Sequence, residues 1–255
     1  MRAPSRQLRT LGCTAALATT AIVALSGGGH VAAQSATASA DRAAQAKAAT
    51  RPARTRPIAL SDSAAARLVH RSRWEPRPSN RGANNRRPNT RELRHFRRHS
   101  ALPRRYKRRI TGNYRGTTDQ IIQWAAYKWG FHPDVLRGVA TIESWWRQRA
   151  VGDEGQSYGL FQIKKGHHCC HPVTQRSTAF NADYWAGYLR SIYNGDARWL
   201  NGESRGSRYH RGELWESVGV WYSGRWDLNN GHYQGRVKDT IRKRVWRRTN
   251  FRYGD

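Results

Sequence analysis

From residue 117 onward, apolar positions recur with a helical period. Thr117 or Thr118 can cap a helix in which Ile121, Ile122, Ala125, Ala126 and Trp129 share a face, and Gly130 stops it. A second helix is expected from Pro133, which suits a first position. Asp134 favours its positive end, and Val135, Leu136, Val139, Ala140 and Ile142 form its apolar stripe. The following AVGDEGQSYGLFQI mixes three glycines, acids and an apolar run, the pattern of a turn-rich loop with a short hairpin. Asn181 can cap a third helix over 181–193, with Tyr184, Trp185, Tyr188, Leu189 and Ile192 on one face. Leu214, Trp215, Val218, Trp221 and Tyr222 mark a fourth, and Val237, Ile241 and Val245 a basic final helix. This predicts a mainly α domain over 111–255 with a small β-hairpin. No repeat and no strand–helix alternation points to a doubly wound sheet.

The first 110 residues have a different character. Residues 1–40 open with Arg2, Arg6 and Arg9, continue through LGCTAALATTAIVALS and reach the small-residue sites VAA and ASA. That is the layout of a secretory signal peptide, with an uncleaved anchor as the alternative. Cys13 precedes most of the apolar core, against a lipoprotein site. No later run is long and apolar enough to span a membrane, so a secreted or wall-associated protein without a span after signal cleavage is expected. Residues 41–110 pass from alanine-rich to arginine-rich sequence. Between 51 and 110, nineteen basic residues face Asp62, Glu75 and Glu92, a net +16 out of the chain's +29. So much like charge with so few apolar residues predicts a disordered arm, because ordering costs roughly 1–2 kcal/mol per residue of backbone entropy. The composition from 111 onward, with ten of the eleven tryptophans and a net +9, suits a folded core.

Glu143 interrupts this pattern. It follows Ala140 by three residues, Val139 by four and Leu136 by seven, so it projects from the inward stripe near the end of the second helix. Desolvation there disfavours the charged form and raises the pKa, the property of a general acid at neutral pH. The competing reading is a structural carboxylate paired with one of the many arginines.

The succession Glu143-Ser144, a glycine-containing turn and GLFQI at 159–163 resembles the soluble lytic transglycosylases and goose-type lysozymes. FNADYWAGYLRSIYNG and VWYSG at 220–224 follow in that family's order, over about residues 115–240. The resemblance implies a lysozyme-like fold and cleavage of peptidoglycan between N-acetylmuramic acid and N-acetylglucosamine. It makes Glu143 the catalytic acid. It places Ser144, Tyr158, Gly159, Leu160, Phe161 and Gln162 at the sugar groove, and makes Tyr222 the tyrosine that hydrogen-bonds the catalytic carboxyl. Ser223 stands where the family commonly has Asn, and Lys164 and Lys165 replace its Met-Pro, which alters contacts to the N-acetyl and peptide groups. In the family's one-glutamate chemistry, Glu143 would donate a proton and then, as a carboxylate, remove one from the muramic acid 6-hydroxyl, forming a 1,6-anhydro product.

Hydrolysis would need a second carboxyl, for which Asp153 and Glu154 are the neighbours in sequence; exposed turn acids are the alternative. The pattern therefore leaves three functions: a lytic transglycosylase, a hydrolytic muramidase, or a non-catalytic wall-binding protein. KKGHHCCHP offers ligand atoms at His167, His168, Cys169, Cys170 and His171, but adjacent cysteines lack zinc-site spacing, and neither metal nor cofactor is expected. In an exported chain Cys169 and Cys170 pair with each other or link two chains. Of the aromatic residues, Trp145 or Trp146, beside the acid, is expected in the groove and most others in the core. The arginine-rich arm is expected to bind anionic wall polymers rather than nucleic acid, given the export signal.

Overall fold

The computed structural model describes residues 58–202, 208–226 and 230–251, all within the compact unit Arg42–Asp255. The signal-peptide stretch at 1–40 and residues 41–57 of the expected arm lie outside the described residues. The fold is mainly helical. The N-terminal part contains α1 (Asp62–Arg67), a 3₁₀ turn at Pro78–Asn80, α2 (Arg81–Asn84), α3 (Thr90–His99) and α4 (Arg104–Lys107). Then come α5 (Thr118–Trp129), α6 (Pro133–Ser144), α7 (Val173–Arg176), α8 (Thr178–Tyr193), α9 (Leu214–Ser223) and α10 (Gly231–Arg242). Between α6 and α7, β1 (Val151–Gly152), β2 (Ser157–Tyr158) and β3 (Ile163–Lys164) form an antiparallel sheet of order β1-β2-β3. Val151 faces Tyr158, and Tyr158 faces Ile163.

The expected helices are present with sharp ends. Thr117 closes a capping box with Gln120, and Gly130 ends α5 in the left-handed region at φ 74°. Pro133 occupies the first turn of α6 behind the His132 cap. The cap of α8 is Ser177 rather than Asn181, four residues earlier than the periodicity predicts. Asn181 is instead a buried cross-link: its amide donates to Tyr158 O (3.0 Å) and Thr174 O (2.8 Å), and its carbonyl accepts from Phe161 N (2.9 Å). Val245 lies beyond α10, in a 3₁₀ turn.

The arm needs the larger correction. Residues 58–110, expected to be disordered, are folded onto the domain. Ala65, Phe96, Tyr106 and Ile110 are fully buried in the main core. The segment covers the face of α5 that the periodicity leaves to solvent: Trp124, Gln123 and Lys128 on that face are buried along with the apolar stripe. Backbone and side chains are satisfied across this contact. Leu60 N donates to Lys128 O at 2.7 Å, His70 N to Gln123 Oε1 at 3.0 Å, and Trp124 Nε1 to Asp62 O at 3.1 Å. At the start of α5, Glu75 accepts from Thr118 N (2.7 Å) and from the Asn84 amide (2.8 Å), placing a carboxyl at the positive helix end. Burial nevertheless pushes the Glu75 pKa up. Lys128 joins the parts, pairing with Asp62 and with Asp183 of α8, each at 2.7 Å. Asp183 is closed by Trp129 Nε1 (2.7 Å) and by the backbone N–H of Thr111 and Gly112 (2.8 and 2.9 Å). A buried charge is tolerated when every lone pair is used this way.

Among the described residues no helix is long and apolar enough to cross a membrane. Phe96→Ala tests the folded arm. It removes a fully buried ring packed against Phe180 (centroids 5.4 Å) and Tyr184 (5.9 Å), and should cost about 3–5 kcal/mol in chemical denaturation. A loss below about 0.5 kcal/mol would return the segment to a disordered arm.

Candidate active site

Glu143 is the penultimate residue of α6. The chain then turns through two successive left-handed residues, Trp145 (φ 56°) and Trp146 (φ 62°), where no glycine is available. Each such residue costs of order 1–3 kcal/mol. The cost is offset by burial of Trp146 and by the arm. Arg77 Nε donates to Trp145 O at 2.8 Å with its guanidinium 4.4 Å over the Phe251 ring, and the Asn80 amide donates to Trp146 O at 2.7 Å and accepts from Gln148 N at 2.8 Å. Both Arg77 and Asn80 are fully buried. The arm therefore builds the turn that presents Glu143.

The GLFQ turn is fastened to the same helix end. Ser144 Oγ donates to Leu160 O at 2.8 Å, and Gln148 Oε1 accepts from Leu160 N at 3.1 Å. Gly159 has φ 80°, and a Cβ there would lie 2.4 Å from Asn181 Nδ2, so both its conformation and its contact require glycine. The result is an outward-facing Gln162 whose amide donates to Gly159 O at 2.9 Å.

On the other side α10 packs against α6. A Cβ on Gly138 would lie 2.7 Å from Ile241 Cγ1, so the absent side chain permits the close approach. Eight residues before Ile241, Tyr233 reaches Glu143 and donates its hydroxyl to Oε1. Tyr233 is buried, and burial together with the adjacent carboxyl holds its pKa well above the ordinary value, so it remains a donor.

These elements enclose a cleft of about 530 Å³, lined by Glu143, Trp145, Arg147, Gly152, Gln162 and Arg236 among others. That volume is within the range of small-ligand sites. Glu143 keeps a partial opening to it. Desolvation pushes its pKa up to about 7; the Tyr233 hydroxyl opposes this, the Asp153 charge adds to it, and Arg236 opposes it least. Among the described residues no ion pair closes on Glu143, so the structural reading of a carboxylate locked to an arginine does not apply. A carboxyl with this pKa can give a proton near neutrality and take one back.

Of the residues expected at the groove, Glu143, Ser144 and Gln162 line the cleft, and so does Trp145. Leu160 and Phe161 do not: both are fully buried, with Phe161 stacked on Trp185 at 4.6 Å. The Gly159 N–H is spent on Ala150 O (3.0 Å), so the 159–161 backbone positions Gln162 rather than facing a ligand. Tyr158 is buried and donates to Gly155 O at 2.5 Å. Trp146 belongs to the core. Tyr222 is 67 % exposed and stacks on Tyr233 at 4.9 Å, leaving the hydrogen bond to Tyr233. Tyr233 lies one helical turn before Val237 on the stripe already visible in the sequence, which is the signal that could have found it.

Asp153 is exposed and held ionised, its pKa lowered by the Ser157 hydroxyl (2.7 Å) and by Lys164 (3.3 Å). Glu154 is exposed at φ 53°. Cys169 and Cys170 are joined in one disulfide, and among the described residues no group of three or more His, Cys, Asp or Glu could hold a metal. His168 is stacked on Trp221 (5.0 Å) and within 2.9 Å of Tyr184 Oη, and burial lowers its pKa to about 4.

No family model, curated protein or solved structure matches the chain. The chemistry must be read from the geometry.

The raised pKa is also a stability statement. The folded carboxyl binds its proton more tightly than the unfolded one, so its contribution is full below about pH 4.5 and is lost as pH rises through about 7. Glu143→Gln should therefore gain up to about 3 kcal/mol over the native protein at pH 8 and little at pH 4, read from denaturation midpoints. Equal differences at both pH values would show an unperturbed carboxyl.

Proposed function

We propose that this chain is an exported lytic transglycosylase that cleaves the β-1,4 bond between N-acetylmuramic acid and N-acetylglucosamine in peptidoglycan. The observation that carries the reading is a carboxyl protonated near neutrality, held by a neutral tyrosine on the wall of an open cleft. Glu143 would give its proton to the glycosidic oxygen as the bond to the muramic acid C1 breaks. The resulting carboxylate keeps the Tyr233 hydrogen bond and takes the proton of the muramic acid 6-hydroxyl as that oxygen closes on C1. The product is a 1,6-anhydro sugar, the proton returns to Glu143, and no water is consumed. Arg147 and Arg236 line the same cleft, where they would meet carboxylates of the substrate.

A hydrolytic muramidase is the second reading, and Asp153 favours it. It is an ionised carboxylate close enough for its charge to act on Glu143, as a base activating water would be. A non-catalytic wall-binding protein would use the cleft without turnover. The basic face of α3, with exposed Arg91, Arg94, Arg97 and Arg98, supports attraction to anionic wall polymers over roughly 8 Å at physiological salt.

Incubation of the protein with isolated sacculi and mass spectrometry of the products decides among these. Anhydro ends are expected from the native protein, and Glu143→Gln should lower turnover by at least about 10²-fold while retaining binding. Reducing ends alone would establish the hydrolase, and binding without products the wall-binding protein. Tyr233→Phe removes a bond that favours the charged carboxylate, so the alkaline fall in activity should move to higher pH; an unmoved profile would remove Tyr233 from the site.

A further inference from the structure

A second cavity, of about 330 Å³, opens where the folded arm meets the loop before α5, and it shares no residue with the Glu143 cleft. Three guanidiniums from three segments line it: Arg71 after α1, Arg87 before α3 and Arg115 before α5. Among the described residues none of the three is paired with a carboxylate, although arginines elsewhere in this chain are. Arg137, for example, is shared between Asp119 and Asp134, each at 2.7 Å. The acid on the wall, Asp62, is already engaged by Lys128 (2.7 Å) and the Thr111 hydroxyl (2.9 Å).

One wall residue carries an unsatisfied donor. Tyr114 is 6 % exposed, its ring stacks on Trp124 at 5.4 Å, and its hydroxyl is buried in the wall without a partner among the described residues. A buried hydroxyl left without a partner is costly, and a ligand oxygen would satisfy it. The Ser63 hydroxyl lies on the same wall.

We propose that this cavity binds the phosphoryl group of a phosphate ester, with Arg71, Arg87 and Arg115 around the anionic oxygens and the Tyr114 hydroxyl donating to one of them. Planar guanidiniums recognise phosphate oxygens in pairs, which suits three of them around one tetrahedral group. The volume is well beyond a bare phosphate and leaves room for the organic part of the ester. The site does not depend on the reaction at Glu143.

Isothermal titration of the full chain at fixed ionic strength tests this with three probes: inorganic phosphate, glycerol 3-phosphate and glycerophosphoglycerol. At least one ester should bind more tightly than inorganic phosphate, and the better of the two identifies a monoester or a diester source. Tyr114→Phe should weaken the ester about tenfold, the loss of one hydrogen bond to a charged acceptor. Arg71→Gln, Arg87→Gln and Arg115→Gln should each weaken it by at least as much, with Arg104→Gln, an exposed arginine outside the cavity, as the control. Affinity unchanged in Tyr114→Phe, or arginine losses no larger than that of the control, would reduce the effect to general surface charge and overturn the proposal. So would inorganic phosphate binding more tightly than both esters.

Discussion

The site depends on keeping cations away from one carboxyl in a chain of net charge +29. A guanidinium within about 4–6 Å would lower the pKa of Glu143 by one to three units and make it an ordinary carboxylate. The fold prevents this by giving nearby cations other partners. Arg137, six residues earlier on the same helix, is fixed by Asp119 and Asp134. Arg77 is drawn under the turn by the Trp145 carbonyl and the Phe251 ring, and Lys164 is held by Asp153. The position closest to the carboxyl is taken by Tyr233, which can donate a hydrogen bond without carrying a charge. Desolvation therefore decides the pKa, and Arg236 on the cleft wall modifies it least.

This arrangement is built from both halves of the described chain. Arg77 and Asn80 satisfy the carbonyls of two strained tryptophans, and Glu75 and Asn84 fix the start of α5. Charge density weighed against apolar content predicts that all four residues lie in a disordered arm. Two features of the segment outweigh that balance. The few apolar residues, Ala65, Phe96, Tyr106 and Ile110, are spaced to reach one core, and each buries completely. Asn80 and Glu75 reach backbone groups and side chains from 38 to 68 residues away in sequence, which no local pattern reveals.

What was legible followed helical periodicity. The limits of α5 and α6, the inward direction of Glu143 and the turn-rich hairpin were all present in residue spacing and capping chemistry. The partners of the site were legible only in part. Gln162 lines the cleft, whereas Leu160 and Phe161, expected beside it, pack in the core that their bulk suits. Asn181 looked like a cap because caps and buried cross-links call for the same side chain. Tyr222 and Tyr233 are stacked neighbours from different helices, and only the crossing of α6 and α10 through Gly138 decides which hydroxyl faces the carboxyl.

The same allocation of acids explains how a strongly cationic surface coexists with a neutral acid. Seventeen acidic residues serve forty-six cations, so most arginines cannot be paired. The buried acids Asp183 and Asp119 and the half-buried Asp62 are committed where a cation must be held: Asp183 and Asp62 on Lys128, and Asp119 on Arg137. The surplus remains outside, on α3 and around the Tyr114 cavity. Solvent and salt confine each exposed charge to roughly 8 Å, so the surface cations sum into a field felt by an approaching polyanion but act weakly on a desolvated group inside. A charge excess spread through the interior would have suppressed the proton on Glu143. Confined to the surface, it leaves that proton in place.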